Sequence, residues 1–202
     1  MKRPLVVGTK NRGKVREVLA ILAGIPADLK SLDDYPGLPE PIEDADTFQG
    51  NASIKALYYA RLTHCWTLAD DSGLEVDALD GAPGVLSARY AGAGGDDAAN
   101  NTKLVAQLVG VQPERRSARF RCVVVLAGEH QVLATASGVF EGLIVDTPRG
   151  ANGFGYDPHF YVPELGMTAA QMPAELKNSL SHRGRALAAI RPQLIRLLNA
   201  AN

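Results

Sequence analysis

Two aspartates stand side by side in this chain, Asp70 and Asp71, after the uncharged run Trp66-Thr67-Leu68-Ala69 and before Ser72-Gly73. The run reads as the end of a buried strand, and Ser72-Gly73 as the turn that stops it and exposes its end. Adjacent carboxylates repel each other and resist desolvation, so a fold that needed only a turn could manage with one. Consecutive strand residues point to opposite faces, so in extended chain only one of the pair can face a given site. A hard cation such as Mg²⁺, taking carboxylate oxygens beside phosphates, would explain an acidic strand end. An Asx-turn capping a strand explains the stretch more simply when it is taken alone.

A second reactive pattern lies near the start. The short run Leu5-Val6-Val7 reads as a buried strand and ends in Gly8-Thr9-Lys10-Asn11-Arg12-Gly13-Lys14. A helix follows, with Val15, Val18, Leu19 and Leu22 on one face and Gly24 to close it. Strand, glycine- and lysine-containing turn and helix start together make an anion site, because unsatisfied N–H groups and the helix dipole both favour phosphate. The spacing from Gly8 to Gly13-Lys14 satisfies most of a P-loop but fails at Val15, where the metal-binding Ser or Thr belongs. A basic turn that merely caps a helix is the plainer account; three cations and an Asn beside two glycines favour phosphate.

The elements that must position these groups follow from pattern. A proline-rich, acidic connection over residues 25–45 reads as irregular, with Glu40, Glu43 and Asp44 mostly solvated. Asp46 is expected to cap a helix to about Arg61, with Gln49 as a capping-box partner and Asn51 and Lys55 on one face. Lys55 suits a surface or a cleft, and spacing does not decide. Leu74 to Leu79 alternates like a strand, and Gly92-Ala93-Gly94-Gly95 is expected to be flexible before a helix capped by Asp96 or Asp97. Phe120 to Leu126 is the strongest strand signal, with Gly128-Glu129-His130-Gln131 as the loop into a further meander. The turn-rich segment from Pro148 to Pro158 holds Phe154 and Tyr156, which could stack a planar base, and Asp157, which could read a donor edge. Core packing accounts easily for one of the two aromatics. Lys177 and the pair His182-Arg183 at a last helix start complete the candidates. The fold class expected is mixed α/β.

Bulk properties exclude whole classes of function. The length suits one domain over 1–202. A net charge of −1 gives no field for a nucleic-acid polymer or an anionic membrane, so phosphate binding must be local. Cys65 and Cys122 are too few for a disulfide framework. The basic start Met1-Lys2-Arg3 leads into an apolar run cut short at Gly8, unlike a secretory signal, and no stretch is long enough to span a membrane. A cytoplasmic location is expected.

Taken together and in order, these residues resemble the inosine triphosphate/xanthosine triphosphate pyrophosphatases, which hydrolyse non-canonical purine nucleoside triphosphates. The matching stretches are Thr9 to Lys14, Thr47-Phe48 with Asn51-Ala52 and Lys55-Ala56, Ala69 to Leu74, Gly81 to Gly84, Ser87 to Tyr90, Gly153 to Pro158, and Ser181 to Gly184. Each motif is weak alone; the ordered set is specific. Two positions depart from the family pattern: Gly50 stands where a Glu is usual, and Ala45 follows Asp44 where a Gly is frequent.

The resemblance implies an elongated mixed β-sheet flanked by helices, in two lobes with a central nucleotide cleft. It also implies a homodimer that uses Mg²⁺, and water attack at the α-phosphorus to give a nucleoside monophosphate and pyrophosphate. Carried over by position, Thr9, Lys10, Asn11, Arg12, Gly13 and Lys14 hold phosphates, with Lys55 and Arg89 assisting. Glu43 and Asp71 hold the metal, and Asp71 also orients or deprotonates the water. Ser72 contacts substrate. Phe154, Gly155, Tyr156 and Asp157, with Lys177, His182 and Arg183, enclose base and sugar, Arg183 being a donor for the oxygen at purine position six, joined by His182 or by nearby backbone N–H groups. A nucleotide sensor without turnover would have no need of Glu43 and Asp71 together. A P-loop phosphotransferase is disfavoured by Val15.

Overall fold

The computed structural model describes residues 2–92 and 95–200. Met1 of the basic start and Ala93-Gly94 of the expected flexible stretch lie outside the described residues. The elements run β1 (Arg3–Val7), α1 (Arg12–Ile21), β2 (Ala27–Ser31), α2 (Phe48–Thr63), β3 (Trp66–Val76) and α3 (Asp97–Gln107). They continue with β4 (Ser117–Ala127), β5 (Val132–Ile144), β6 (Phe160–Val162), β7 (Met167–Thr168), α4 (Ala174–Leu180) and α5 (His182–Ala200). The strands form one mixed seven-stranded sheet in the order β2-β1-β3-β4-β5-β6-β7.

The chain divides into two compact units. The first comprises Met1–Asp71, Cys122–Gly138 and Arg183–Asn202. In it β1 pairs in parallel with both β2 and β3, Val7 standing opposite Leu68. Strand alternation sorts its side chains. Leu5, Val7 and Leu68 pack with Val18 of α1, with Leu22 just after that helix, and with Leu187, Ile190, Leu194 and Leu198 of α5, whose spacing is one helical stripe. The intervening Val6 meets Tyr59 of α2, and Ala69 meets Ala52 and Ala56 of the same helix. Helices α1 and α5 therefore cover one face of β3 here, and α2 covers the other.

The second unit comprises Ser72–Arg121 and Val139–His182. Its core joins Leu74 and Val76 of β3, Leu104 and Leu108 of α3, Phe120 of β4, Phe140 and Ile144 of β5, and Phe160 of β6. Antiparallel pairing carries the sheet from β5 to β6 to β7.

Three local expectations are corrected. The connection over residues 25–45 is not irregular throughout, because Ala27–Ser31 forms β2 and pairs in parallel with β1. The acidic pair does not end a strand: β3 continues through Ser72-Gly73, because Leu74 and Val76 are fully buried core residues that keep the chain extended. Helix α2 is capped by Thr47 and not by Asp46, the Thr47 hydroxyl accepting from the Gly50 N–H at 3.0 Å. Asp96 caps α3 as expected, and the loop between β4 and β5 falls at Gly128 to Gln131.

Candidate functional site

In the first unit the turn after β1 delivers its cations to the start of α1. Asn11 caps the helix, its side chain accepting from the Lys14 N–H at 3.0 Å, and its own N–H donates to the Thr9 hydroxyl. Thr9, Lys10, Asn11, Arg12, Gly13 and Lys14 thus share one capped turn whose first helical N–H groups have no partner within the helix. Lys10 pairs with Glu40 at the surface, whereas the largely buried Lys14 ammonium reaches Asp70 at 3.1 Å.

The uninterrupted strand separates the two aspartates. Asp70 follows Leu68 to the α1 and α5 side and meets Lys14, the Arg183 guanidinium at 3.0 Å and the Cys122 thiol. Arg183 also donates to Glu17 of α1. Burial alone would raise the Asp70 carboxyl, but the charges of Lys14, Arg183 and Lys55 outweigh it and hold it well below the usual carboxylate range. Asp71 follows Ala69 to the α2 side, where its Oδ1 accepts from Lys55 at 2.9 Å. Burial dominates there, only partly opposed by Lys55 and Lys14, and the Asp71 carboxyl is shifted up.

Lys55 joins Asp71 to Glu43, donating to the latter at 2.6 Å. Burial would lower its pKa, but Asp71, Glu43 and Asp70 reverse the effect and raise it. Glu43 sits in the irregular connection, and what seats that connection is Asn51. Its side-chain amide accepts from the Ala45 N–H and donates to the Ala45 carbonyl. Gly50 makes room for this, since a Cβ there would stand 2.6 Å from the Cβ of Ala45. The two departures from the family pattern are therefore in contact, each small residue occupying space the other leaves.

This arrangement suits a hard divalent cation. A single ammonium already bridges the Glu43 and Asp71 carboxylates, and Asp71 Oδ2 is buried without a hydrogen-bond partner. Among the described residues no group of three or more His, Cys, Asp or Glu side chains gathers into a metal site. Two carboxylates, completed by water and substrate phosphates, are the usual provision for Mg²⁺.

In the second unit the segment before β6 is held by Asp157. Its buried carboxylate accepts from the Phe154 N–H at 2.9 Å and from the Lys177 ammonium of α4. That ammonium lies 4.9 Å above the half-buried Phe154 ring. Gly153 is required here: its φ is +75°, and a Cβ would fall on the Asp157 carboxylate. Phe154, Gly155, Asp157 and Lys177 are thus brought together. Tyr156 is the aromatic that packs in the core, its hydroxyl donating to the Ser87 carbonyl. His182 is buried with its ring stacked on Phe120 at 4.8 Å. Ser72 is half-buried within β3, and Arg89 is exposed at the end of a short 3₁₀ turn. Arg183, expected beside the base, is 1% exposed and turns three N–H donors to Asp70 and Glu17 in the first unit.

Sequence reasoning missed Glu17, Cys122 and Asn51 as partners of these groups. It also missed Asn101 and took Asp97 only as a cap candidate, although their four-residue spacing on a helix was visible. No helix of the described residues is long and apolar enough to cross a membrane.

The model of the Ham1 family matches residues 5–193. A dITP/XTP pyrophosphatase of Geobacter sulfurreducens is 53% identical over 94% of this chain and 96% of its own length. One from Listeria monocytogenes is 44% identical over 96% of each. Among solved structures, a HAM1 protein from Coxiella burnetii superposes with a TM-score of 0.84 at 39% identity, covering 98% of this chain and 99% of its own. The chain belongs to the Ham1 family.

Proposed function

We propose that this chain is a Mg²⁺-dependent nucleoside triphosphate pyrophosphatase acting on dITP, XTP and ITP, releasing the nucleoside monophosphate and pyrophosphate. The observation that carries the reading is the Lys55 bridge that holds the Glu43 and Asp71 carboxylates together. Glu43 and Asp71 would hold Mg²⁺, which when bound supplies positive charge against the charge developing on the phosphoryl group. Asp71 orients the attacking water and takes its proton. Oxygen of that water bonds to the α-phosphorus as the bond to the leaving pyrophosphate breaks. Lys14, Lys55 and the N–H groups at the start of α1 neutralise the phosphates.

In the second unit Phe154 offers a stacking plane, which every purine can use. Lys177 and Asp157, fixed to each other, offer a donor and an acceptor whose register separates a six-oxo from a six-amino purine. A cytoplasmic homodimer with no polymeric nucleic acid or membrane partner belongs to the same reading, supported by the family resemblance. The test is incubation with Mg²⁺ and each of dITP, XTP, ITP and dATP, with chromatographic identification of products. Monophosphate and pyrophosphate from the first three are expected; diphosphate and phosphate, or no product, overturn the reading.

A further inference from the structure

We propose that Asp97 and Asn101 of α3 are positioning residues that set base choice, by holding both backbone groups of Gly155 in the Phe154–Asp157 segment. The inference rests on the reading that this segment takes the base. Asp97 Oδ2 accepts from the Gly155 N–H at 2.8 Å, and Asn101 Nδ2 donates to the Gly155 carbonyl at 2.9 Å. The two side chains are four residues apart and so project from one helix face. One helical turn thereby grips a single residue at both its donor and its acceptor.

Neither residue supplies the N-cap of the helix. The cap is Asp96, whose carboxylate already accepts from the N–H groups of Ala98 and Ala99. A second carboxylate beside it adds repulsion. Asn101 carries a further cost. Its Nδ2 also donates to the Asp97 carbonyl, while its Oδ1 is buried without a hydrogen-bond partner. Turning the amide over would set Oδ1 against two carbonyl oxygens, so the orientation follows from the partners. An orphaned acceptor lowers stability, and it persists here where the other end of the amide grips Gly155.

Gly155 itself needs holding. Its φ is +64°, and nothing lies within 4 Å of where a Cβ would be, so the backbone conformation and not lack of space favours glycine. The Asp157 carboxylate fixes the Phe154 N–H from within the segment, and α3 fixes the next residue from outside. The Phe154 plane and the Asp157–Lys177 pair are thus set between two anchors. Releasing the outer one shifts donor and acceptor register, to which base discrimination is sensitive, more than it harms stacking, which tolerates displacement.

The test compares kcat/KM for dITP and dATP in wild type, Asp97→Ala, Asn101→Ala and the conservative Asp97→Asn, with amide hydrogen exchange of Gly155 followed by NMR. Expected is a dITP preference narrowed about tenfold in both alanine variants, the scale of one lost hydrogen bond. Faster Gly155 exchange should accompany it, and Asp97→Asn, which keeps an acceptor oxygen, should recover most of the preference. An unchanged preference despite faster Gly155 exchange overturns the proposal, as does equal slowing of both substrates. If Asp97→Ala does not fold, Asn101→Ala removes the other arm and must give the same narrowing. A wild type that shows no dITP preference refutes the underlying reading instead, and the proposal with it, before any variant is made.

Discussion

Asp70 and Asp71 are the same residue type, adjacent on one strand, both buried, and their surroundings are opposite. On the α1 and α5 side, Asp70 is gripped by Lys14 and Arg183 and touched by Cys122, whose thiol is pushed up by burial and by Asp70. Its charge is built into the packing. On the α2 side, Asp71 has Lys55, shared with Glu43; Asp70 Oδ1 and Asp71 Oδ2 are both buried without a hydrogen-bond partner, so the two acids differ in the charges around them. The Asp71 charge is disfavoured by burial and remains available. The two-residue period of a strand is enough to part a carboxylate that holds the fold from one that can meet water, metal or phosphate. Strong pairing and catalytic availability are alternatives for a buried acid, and under the proposed function Asp70 takes the first and Asp71 the second.

The largest effect that could break this contrast is on Asp70. Asp70→Asn leaves Lys14 and Arg183 facing a neutral group, and breaking a buried charge pair costs about 3–5 kcal/mol. Urea denaturation should register that loss, while turnover per folded molecule falls less than in any Asp71 variant. The acid dependence has a definite sign. Because the native carboxyl lies below its unfolded value, its contribution is complete above about pH 4 and fades as pH falls further. The variant should therefore lose less stability than wild type between pH 4 and pH 2. Turnover lost as fully as with Asp71→Asn would erase the distinction.

Next comes Asp71→Asn, expected to lower turnover at least ~100-fold, the scale for a lost base or metal ligand. Its thermal midpoint should change little, since burial already disfavours the charge that is removed. Steady-state rates at saturating Mg²⁺ together with a melting curve decide it; unimpaired turnover would remove Asp71 from the chemistry.

How much of this was legible depends on the range of the interaction. The acidic pair, the capped basic turn and the opposite pointing of Asp70 and Asp71 are local, and strand and helix periods exposed them. The end of β3 was misjudged because Ser72-Gly73 is a turn signal locally, while Leu74 and Val76 are drawn into the second unit's core, a tertiary demand that overrides it. Arg183 was recognisable as a cation at a helix start, but its partners Asp70 and Glu17 are 113 and 166 residues away. Glu43 sits in a connection without periodicity, so only family resemblance singled it out, and the Asn51 hold on Ala45 had no signal beyond a polar residue on a helix.

A smaller effect sharpens the Asp70 side. Lys14 pairs with Asp70 yet begins α1, where phosphates are expected. Lys14→Ala should weaken triphosphate binding roughly tenfold, as for one charge-assisted hydrogen bond, and monophosphate binding less, because fewer charges are then unneutralised. Titration calorimetry with non-hydrolysable triphosphate and with monophosphate measures both. Equal losses would leave Lys14 as a partner of Asp70 alone.

The smallest effect concerns the seat of Glu43 on the Asp71 side. Gly50 lies inside the first turn of α2, where exchanging glycine for alanine ordinarily gains up to ~1 kcal/mol of helix stability. Here a Cβ would meet the Ala45 Cβ at 2.6 Å and the capping Thr47 hydroxyl at 3.1 Å. Overpacking of this kind costs about 1–3 kcal/mol, so Gly50→Ala should destabilise by about 1 kcal/mol net and displace the connection that presents Glu43 to Lys55. Ala45→Gly removes the obstructing methyl, and the double variant should recover the wild-type denaturation midpoint or exceed it. The disturbance should stay on the α2 face: the double-mutant cycle should couple position 50 to position 45, while Asp70→Asn adds independently to either. A Gly50→Ala protein more stable than wild type would show that the connection yields freely and that Glu43 is not held in place by this contact.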